Sequence, residues 1–507
     1  MAEADKKKSR PSRAKGKGKA TFKMAPAAKT PAKPAPKKSP TPAQQAAAWQ
    51  ALSADQQLSL REREAVRLFA LASDQLQKGN TTDAVQNYGK AALLNPKSWD
   101  IYINLGVALR RAGKREAAVA CYRRGLVLKP DHGGLYSNLG NVLRELGRTQ
   151  NAVSSHQQAV RFDPENPEAF FNLGLSLADL NQFKQAIICY DKALMLKPDH
   201  PRYQVEKGRC LIRMGNFSEG FKLVEARWKI EGVSAPDYDK PEWDGAELKG
   251  KTILIHQEPD ASDMIRFARY LPMIKQRGGT VVVQVGQGLA RLFSTVPGVD
   301  KVVVEGAPLP RFDVWAGMMS LARIFETTVE SIPATLPYFR PPELLAVQLP
   351  ASMERQKKVG VIWSSSAAQP ANTNEGFEFR DFINLMGLPG MAMFSLQLGP
   401  PSKDIEEHGC QALLSDLSRR IDSYSAMASV FSQLDLLIST DCAEAQIAAS
   451  LGVPVWLVLP PVTSWRWPHE GEETAWYPGM RLFRQLPGQS PDIVFGEIER
   501  ALGEEIG

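Results

Sequence analysis

A pattern that recurs every 34 residues constrains this chain more than any other feature of its sequence. In each copy an alanine is followed four positions later by a side chain that carries a ring, and a proline closes the unit. The alanines are Ala84, Ala118, Ala152 and Ala186, the rings are Tyr88, Tyr122, His156 and Tyr190, and the prolines are Pro96, Pro130, Pro164 and Pro198. Units of this length cannot bury an apolar face alone, so they stack into a superhelix. The sequence therefore predicts helical repeats over about a third of the chain.

The other anchors of the pattern are typical of helix pairs. A Leu-Gly pair falls near the middle of each first helix, at Gly106, Gly140 and Gly174, where the missing side chain lets the second helix approach. The proline ends the second helix because it has no backbone N–H. We expect four units over about 65–200, and Gly208 and Gly220 mark a degenerate fifth. The pattern resembles tetratricopeptide repeats, and this resemblance implies an array that holds another polypeptide.

An asparagine precedes each of these Leu-Gly pairs, at Asn104, Asn138 and Asn172. The spacing places them at equivalent points of successive first helices, which line the concave surface of such a superhelix. Because an amide both donates and accepts hydrogen bonds, a ladder of asparagines can bind the backbone of an extended peptide. The alternative interpretation is that Asn-Leu-Gly is only part of the repeat consensus.

Positive charge is concentrated at the amino terminus. The first 45 residues carry a net charge of +11 and the whole chain +7, so the remaining 462 residues carry −4. We expect the Lys/Pro/Ala-rich segment 1–50 to be a disordered basic tail. It is either a solvated tether or a segment that contacts an acidic membrane surface or nucleic acid. The sequence has no secretory signal and no apolar run of membrane-spanning length.

The five cysteines have no paired spacing. They are Cys121, Cys189, Cys210, Cys410 and Cys442. An odd, unpatterned set argues against disulfides and against zinc, and it favours a reducing compartment. The sequence therefore predicts a cytoplasmic protein without a metal site or a cofactor.

Beyond Trp228 the sequence changes to short apolar runs that alternate with helical stretches. One group of predicted strands is Thr252–His256, Thr280–Val285, Lys301–Val304 and Asp313–Ala316, and a second is Val359–Trp363, Met393–Gln397, Leu434–Thr440 and Pro454–Leu459. Such runs predict parallel sheets covered by helices on both faces. The proline-rich segment 332–350 is the expected joint. We therefore expect a tail at 1–50, repeats at 51–232, one α/β half at 236–345 and a second at 346–507.

Three motifs of this second region resemble a known family. They are Asp263-Met-Ile-Arg-Phe-Ala-Arg-Tyr-Leu-Pro272, Pro297-Gly-Val-Asp300 and Trp465-Arg-Trp467. Together with the repeats they resemble bacterial proteins that join tetratricopeptide repeats to a glycosyltransferase domain. That domain is related to heptosyltransferases and, more distantly, to O-linked N-acetylglucosamine transferases. The resemblance implies an α + α/β chain, in which a tetratricopeptide superhelix precedes a type-B glycosyltransferase fold of two Rossmann-like halves.

The resemblance also implies where the catalytic base lies. Inverting sugar transfer needs a base that takes the proton of the acceptor hydroxyl. In the related enzymes this base closes a Glu-Gln-Gly-Leu-Gly-Asp loop, which here reads Glu258-Pro-Asp-Ala-Ser-Asp263. Asp263 is therefore the candidate base, and Glu258 and Ser262 are candidate ligands of a nucleotide sugar. A compatible alternative is that Asp263 caps a helix beginning at Met264. Asp260 and Ser262 replace both loop glycines, and Asp260 places a negative charge beside the donor site.

The second half holds the other candidate ligands of the nucleotide sugar. They are Trp363, Ser364, Gln397, Thr440, Asp441, Cys442, Gln446 and Arg466. A turn from a strand into a helix directs free N–H groups at an anion, and the planar fork of arginine suits phosphate. The family resemblance implies Asp-Thr-x-x-Ala-His after the strand, where this chain has Cys442 and Gln446. The family's Trp-Ala-Gly-Asn is replaced by Trp363-Ser-Ser-Ser366, and Ser464 stands where an aspartate usually precedes Trp-Arg-Trp.

These observations predict a protein O-glycosyltransferase. A nucleotide sugar is the expected co-substrate, and a polypeptide held by the repeats is the expected acceptor. Flagellin is a specific candidate, because the resemblance extends to flagellin-modifying glycosyltransferases with the same layout. The altered donor motifs leave two alternatives open. The donor has changed, for example to a cytidine-monophosphate-linked acidic sugar, or the chain is a non-enzymatic adaptor with a degenerate transferase domain.

Overall fold

The computed structural model describes residues 52–233, 236–341, 347–350, 356–364 and 376–506. The basic tail predicted for residues 1–50 lies outside these residues, as does part of the predicted joint at 332–350. Residues Arg61–Gly507 form one compact unit. None of the described helices combines the length and the apolar character that crossing a bilayer requires.

Ten helices come first in the described part of the chain, and from the second onward most have 13 or 14 residues. They are α1 (Ala54–Gln77), α2 (Thr81–Leu94), α3 (Trp99–Arg111), α4 (Arg115–Leu128), α5 (Gly133–Glu145), α6 (Thr149–Phe162), α7 (Pro167–Asp179), α8 (Phe183–Leu196), α9 (Pro201–Arg213) and α10 (Phe217–Val224). Successive helices pair into five antiparallel units, as the 34-residue pattern predicts.

The turn inside each helix pair repeats with the same period. One residue of each turn has a positive φ, and these residues are Gly79, Gly113, Gly147, Asn181 and Gly215. Glycine adopts this left-handed conformation without a steric penalty, and asparagine is among the side chains that tolerate it best. The series includes Gly215, so α9 and α10 form the predicted fifth pair, in which the second helix has only eight residues.

The glycines of the first helices make room for the rings of the second helices. A Cβ at Gly106 would lie 2.4 Å from the Tyr122 ring, and one at Gly174 would lie 2.5 Å from the Tyr190 ring. The predicted close approach at these glycines is confirmed. The group that fills the space is the aromatic ring four positions after the repeated alanine.

The remainder of the described chain forms two parallel sheets. The strands are β1 (Thr252–His256), β2 (Thr280–Val285), β3 (Lys301–Val304), β4 (Val314–Gly317), β5 (Lys357–Ile362), β6 (Met391–Ser395), β7 (Ser415–Asp416), β8 (Leu436–Thr440), β9 (Val455–Leu459) and β10 (Met480–Arg484). The first sheet has the order β3-β2-β1-β4 and the second β10-β9-β8-β5-β6-β7. The eight predicted strands are confirmed to within two residues at either end, whereas β7 and β10 were not predicted.

Further helices connect these strands or cover the sheets, and all of them except the last have eight residues or fewer. They are α11 (Ala261–Phe267), α12 (Leu271–Gln276), α13 (Ala290–Phe293), α14 (Ser320–Ile324), α15 (Phe379–Phe382), α16 (Asp404–Glu407), α17 (Tyr424–Phe431), α18 (Ala443–Ser450) and α19 (Pro491–Ile506). The described part of the chain is therefore a helical repeat array followed by an α/β region.

The last repeat shares its hydrophobic core with both sheets. Phe217 and Phe221 of α10 belong to one buried cluster with Ile253 of β1 and Leu457 of β9. The ring centre of Phe217 lies 5.7 Å from that of Trp476. Burial of apolar surface stabilises the folded state by about 25 cal/mol per Å². This shared core therefore holds the repeats in one orientation relative to the sheets.

A buried arginine adds a polar connection at the same junction. Arg213 of α9 donates from Nη1 to the carbonyl oxygen of Thr463 at 3.2 Å. Its Nη2 donates to Oδ1 of Asn181 at 3.1 Å and to the hydroxyl of Thr463. The backbone carbonyl of Arg213 is 3.0 Å from Nδ1 of His469. The segment that follows β9 is therefore attached to two successive repeats.

Candidate functional site

A cavity of about 1770 Å³ separates the repeats from the carboxyl ends of the strands. One wall comes from α5 and α7, and the opposite wall comes from loops that follow β1, β5, β8 and β9. Pockets for single small ligands usually measure roughly 300–1000 Å³. This cavity therefore has room for two substrates side by side.

The repeat wall contains two of the three predicted ladder asparagines. Asn138 and Asn172 line the cavity. Nδ2 of Asn172 donates to the hydroxyl of Ser137 at 3.2 Å, which leaves its amide oxygen toward other partners. Asn104 is not in the lining, and its Nδ2 donates to the carbonyl oxygen of Asp100 within α3 at 2.8 Å. The structure therefore does not bring Asn104 to the site.

Two further asparagines line the repeat wall and were missed by sequence reasoning. Asn141 lies one helical turn after Asn138 on the same face of α5, and Asn166 caps α7. Neither residue lies at a position of the 34-residue ladder. The signal that could have found Asn141 is its spacing of three residues from Asn138 on a helix already predicted.

The loop after β1 places Asp260 and Ser262 in the opposite wall. Oδ1 of Asp260 accepts a hydrogen bond from the backbone N–H of Ser262 at 2.8 Å, so Asp260 is the N-cap of α11. The alternative role of Asp263 as the cap of a helix beginning at Met264 is wrong, because α11 already begins at Ala261. A carboxylate at this position satisfies free N–H groups that a phosphate could otherwise bind.

Asp263 is buried and ion-paired. Its side chain is 8% exposed, and its Oδ1 accepts a hydrogen bond from Nε of Arg466 at 2.7 Å. The same guanidinium contacts Oδ2 of Asp260 through Nη2. Arg466 lines the cavity and Asp263 does not. The candidate base and the candidate phosphate ligand are therefore bound to each other.

The carboxylates around Arg466 keep its guanidinium protonated. Burial alone lowers the pKa of Arg466, but the carboxylates of Asp263, Asp260 and Asp441 raise it above its ordinary value. Burial raises the pKa of Asp260, but the guanidinium of Arg466 and the hydrogen bonds from Ser262 together lower it below its ordinary value. In this cluster one cation, the guanidinium of Arg466, is shared by more than one carboxylate.

Glu258 lies away from the cavity and has a structural contact instead. Its oxygens accept hydrogen bonds from Nε and Nη2 of Arg227 at 3.1 and 2.8 Å, and from the backbone N–H of Met319 at 3.0 Å. Arg227 follows α10, so this bidentate pair connects the last repeat to the first sheet. Glu258 is not among the described residues of the cavity wall.

The turn between β8 and α18 does reach the cavity. Thr440, Asp441 and Cys442 all line it. Cys442 is the N-cap of α18, and its Sγ accepts from the N–H of Ala445 at 3.4 Å. The hydroxyl of Thr440 has no hydrogen-bond partner among the described residues. Desolvation raises the pKa of Asp441. The turn therefore brings the amino end of α18 to the cavity, whereas the Thr440 hydroxyl itself is buried.

The two predicted glutamines face inward. Oε1 of Gln446 accepts from the Tyr477 hydroxyl at 3.1 Å and from Nε of Arg266 at 3.3 Å. Oε1 of Gln397 accepts from the N–H groups of Trp363 and Ser364 at 3.0 and 2.8 Å. Neither glutamine lines the cavity. Both are therefore placed to hold neighbouring segments in position.

Gln397 positions two residues that do line the cavity. Its Nε2 donates to the carbonyl oxygen of Ser364 at 2.9 Å, which completes a clamp on the turn after β5. The indole N–H of Trp363 donates to Oδ2 of Asp404 at 2.9 Å. Trp363 and Ser364 thereby form the edge of the wall below β5. Ser365 and Ser366 lie outside the described residues.

Sequence reasoning gave no role to Arg266, which supports the whole wall. Its side chain is fully buried, with the guanidinium carbon 4.6 Å from the Trp467 ring centre. Nη1 donates to the backbone carbonyl of Arg466. Burial lowers the pKa of Arg266 to about 10. A cation on aromatic faces in a desolvated position contributes on the order of 2 kcal/mol. Arg266 therefore anchors the segment that carries Arg466.

Comparison with known families supports the interpretation of the helical array. Residues 69–133 and 167–200 match the family described as tetratricopeptide repeat, and residues 140–180 match the one described as TPR repeat. The chain contains tetratricopeptide repeats. The matched segments lie within α1 to α8 and the first residues after them.

A similar protein of known sequence extends the comparison beyond the repeats. Protein FlbA of Caulobacter vibrioides is 27% identical over 311 residues, which are 55% of this chain and 51% of that protein. The first 233 residues make up less than 55% of the chain, so the match includes part of the α/β region. The match spans about half of the length of this relative.

Solved structures also match about a third of this chain. MamA from Desulfovibrio magneticus is 22% identical, with a TM-score of 0.31, and the match covers 33% of this chain and 98% of that one. PilF of Pseudomonas aeruginosa is 25% identical, with a TM-score of 0.30, and the match covers 32% of this chain and 77% of that one.

Proposed function

We propose that this chain is a protein O-glycosyltransferase, which moves a sugar from a nucleotide sugar to a Ser or Thr of a polypeptide held by the repeats. The observation that supports this most is the single cavity between the two regions. Asn138 and Asn172 line one wall, and Ser262, Thr440 and Arg466 line the other. A polypeptide on the first wall would lie beside a ligand on the second.

The repeat wall suits an extended acceptor segment. The amides of Asn138 and Asn172 would hydrogen-bond to the backbone of that segment, whatever its side chains. The neighbouring charges are paired within the wall: Arg144 with Asp179 at 2.9 Å, and Arg110 with Glu145. A wall that combines these ion pairs with the amides would select for backbone geometry more than for charge.

The opposite wall suits a nucleotide sugar. In parallel sheets, ligands bind beyond the carboxyl ends of the strands, where Ser364 and Thr440 lie. The amino end of α18 and the guanidinium of Arg466 would contact a phosphate. Ser262 would hydrogen-bond to sugar or phosphate oxygens. The altered donor motifs favour a donor with one phosphate, such as a cytidine-monophosphate-linked acidic sugar.

In the proposed reaction, the acceptor hydroxyl oxygen forms a bond to the anomeric carbon of the donor. The bond between that carbon and the phosphate oxygen breaks, and the nucleotide leaves with the electron pair. Asp263 takes the proton of the hydroxyl, which requires that its ion pair with Arg466 opens first. This direct displacement inverts the configuration of the anomeric carbon, and no metal ion or other cofactor takes part in the proposed step.

Intact-mass measurement of flagellin, the candidate acceptor, tests the proposal. Flagellin would be produced with this chain in cells that make a cytidine-monophosphate-linked nonulosonic acid. We expect a mass increase equal to one or more sugar residues, which disappears with Asp263→Asn. Asp239→Asn is the matched control, because Asp239 is exposed and does not line the cavity. An unchanged mass with this donor and with a panel of other nucleotide sugars would count against the proposal.

A second candidate function is that of a non-enzymatic adaptor. The observation that favours it is the ion pair of Asp263 with Arg466, which holds the candidate base away from the cavity. The adaptor function predicts that the full chain binds a client protein. It also predicts that calorimetry detects no binding of a nucleotide sugar and that no sugar is transferred. Client binding with measurable nucleotide binding would exclude it.

A further inference from the structure

The most exposed large apolar side chains of the described chain recur with the repeat period. They are Leu93 in α2, Val127 in α4 and Met195 in α8, which are 84%, 70% and 72% exposed. All three occupy the same position of the 34-residue unit, and Arg161 of α6 occupies it in the remaining unit. A single exposed apolar residue is common on a protein surface. Three at one repeat position form a row across the second helices.

A row of cations runs beside this apolar row. The cations are Lys90, Arg124 and Lys192, each three positions before the apolar residue of its helix. Residues three positions apart share a face of a helix, so each cation lies beside one apolar side chain. No ion pair within the described part of the chain involves any of these three cations. Together with Arg161, the two rows form the outer face of the repeats.

Acidic side chains are nearly absent from the same part of these helices. The last two turns of α2, α4 and α6 contain none, and those of α8 contain only Asp191. Asp191 is ion-paired with Lys207 of α9 at 2.8 Å. No residue of the outer face belongs to the described cavity wall. The outer face is therefore a positively charged and partly apolar surface, separate from the candidate site.

We infer that the outer face binds the surface of an anionic lipid bilayer. Lysine and arginine side chains near such a surface are attracted to the lipid phosphates, and each contributes roughly fivefold to the binding constant. Long cationic side chains keep their charge at the level of the phosphates, while neighbouring apolar side chains enter the interface. The outer face supplies one side chain of each kind in three of the four units. This inference does not depend on sugar transfer.

Other partners fit the two rows less well. A partner helix needs an apolar groove, whereas Leu93, Val127 and Met195 project from the surface. The outer faces of two copies would bring like charges together, since a two-fold interface pairs the same patch of both chains. Nucleic acid would contact the cations, but its phosphates gain nothing from exposed apolar side chains. A bilayer interface accepts both kinds of side chain, because charged headgroups and acyl chains meet there.

Binding through the outer face leaves the cavity accessible. The repeat wall of the cavity comes from α5 and α7, which are the first helices of their pairs. The outer face belongs to second helices. A chain held at a bilayer would therefore still receive a polypeptide on its other side.

Vesicle sedimentation with the full chain tests the role of the cations. The vesicles would contain equal parts of phosphatidylglycerol and phosphatidylcholine. We expect Lys90→Gln/Arg124→Gln/Lys192→Gln to bind about tenfold or more weakly than the wild type in about 0.1 M salt. The matched control is Lys251→Gln/Arg291→Gln/Lys301→Gln, which removes three exposed charges from the α/β region and should bind like the wild type. Every protein keeps the basic segment 1–50, so its contribution cancels in the comparison.

A second triple variant tests the role of the apolar row. Leu93→Ser/Val127→Ser/Met195→Ser removes the side chains that would enter the interface, and we expect about tenfold weaker binding. The loss relative to the wild type should persist in about 0.5 M salt, because insertion of apolar groups is not screened. Leu413→Ser/Leu486→Ser/Ile493→Ser is the control, since it removes three exposed apolar side chains from the α/β region.

The outcomes either support the inference or overturn it. Vesicle binding at the wild-type level by either outer-face variant would overturn it, because the basic segment 1–50 would then suffice. So would a wild-type chain that does not bind these vesicles, or one that binds vesicles of phosphatidylcholine alone equally well. Binding of a DNA duplex in preference to vesicles would reassign the outer face to nucleic acid. All substituted side chains are exposed, and a circular-dichroism melting curve for each variant checks that it is folded.

Discussion

The imidazole of His156 lies so close to Gly140 that a Cβ on this glycine would be 2.4 Å from the ring. The ring is fully buried, with Nδ1 2.9 Å from the hydroxyl of Ser176 and Nε2 3.2 Å from the carbonyl oxygen of Ser137. His156 therefore connects the third helix pair to α7 of the fourth. The other three matched repeats have a tyrosine at this position.

We expect Gly140→Ala to destabilise the repeats. The added methyl group overlaps the ring of His156, which has no free space to move into because it is buried. Overpacking of this kind costs about 1–3 kcal/mol. Gly89→Ala is the control, since Gly89 lies in α2 with nothing within 4 Å of its missing Cβ. Thermal unfolding should show a lower midpoint for Gly140→Ala and an equal or higher one for Gly89→Ala, because alanine is the better helix former. A similar loss in both would contradict the packing argument.

The stability of the chain should fall with acidification because of His156. Burial lowers the pKa of His156 from 6.5 to about 4, and the contact with the Ser137 carbonyl opposes this only in part. A depressed folded-state pKa favours the neutral ring, so its stabilising effect is present above pH 6.5 and is lost as the pH falls toward 4. The loss amounts to about 3 kcal/mol.

Denaturant unfolding at pH 7.5, 6, 5 and 4 measures this effect. His156→Tyr introduces the residue of the other repeats and removes the titrating group, so its stability should depend less on pH than that of the wild type. His256 also has a pKa lowered by burial, and it remains in both proteins. The difference between the two pH profiles therefore isolates His156. Parallel profiles would show that the ring is already accessible to protons in the folded chain.

Arg213→Ala should loosen the junction between the repeats and the segment after β9. The substitution removes hydrogen bonds to Asn181 and Thr463, and it leaves the partly buried carbonyl of Thr463 without its donor. The cost is about 2–4 kcal/mol, since the lost bonds involve a charged donor. Limited proteolysis should cut this segment faster in Arg213→Ala. Arg67→Ala, which removes an exposed ion pair with Glu64, should be cut at the wild-type rate. Equal rates in all three proteins would argue against this role of Arg213.

Asn138→Ala and Asn172→Ala should each weaken binding of the acceptor polypeptide. Each substitution removes an amide from the cavity wall and about 1 kcal/mol of hydrogen bonding, or roughly fivefold in affinity. Asn104→Ala provides the matched control, because Asn104 precedes the same Leu-Gly pair but donates within its own helix. Fluorescence anisotropy with a labelled acceptor segment measures the affinities. If Asn104→Ala weakens binding as much as the other two, the asparagines act through repeat stability.

Sequence periodicity was a reliable guide wherever a structure depends on near neighbours. Gly106 and Tyr122 meet because their positions in two consecutive helices are set by the repeat. The strand at Thr280–Val285 follows from five residues with high strand propensity, one threonine and four valines, in a buried sheet. By contrast, β10 was missed because charged Arg481 and Arg484 interrupt its apolar residues, which is tolerated at the edge of a sheet.

The direction of the site side chains depends on residues far away in the chain. Gln446 follows a strand that was predicted correctly, yet it turns inward because Tyr477 and Arg266 occupy its amide oxygen. Glu258 turns away from the cavity because Arg227 at the end of the repeats binds it. A motif places a residue at the end of a strand, but the side chain selects its conformation from the partners that folding brings near.

The sequence by itself determined the helical repeats, most of the strands and the positions at which polar residues leave the strands. These features depend on periodicity and on local backbone preferences, which a short stretch of chain contains in full. Only the tertiary structure placed the asparagines of α5 and α7 opposite the strand ends and paired Asp263 with Arg466. That ion pair joins residues 203 positions apart in the chain. It forms because the core shared by the last repeat and both sheets fixes the distance between these two residues.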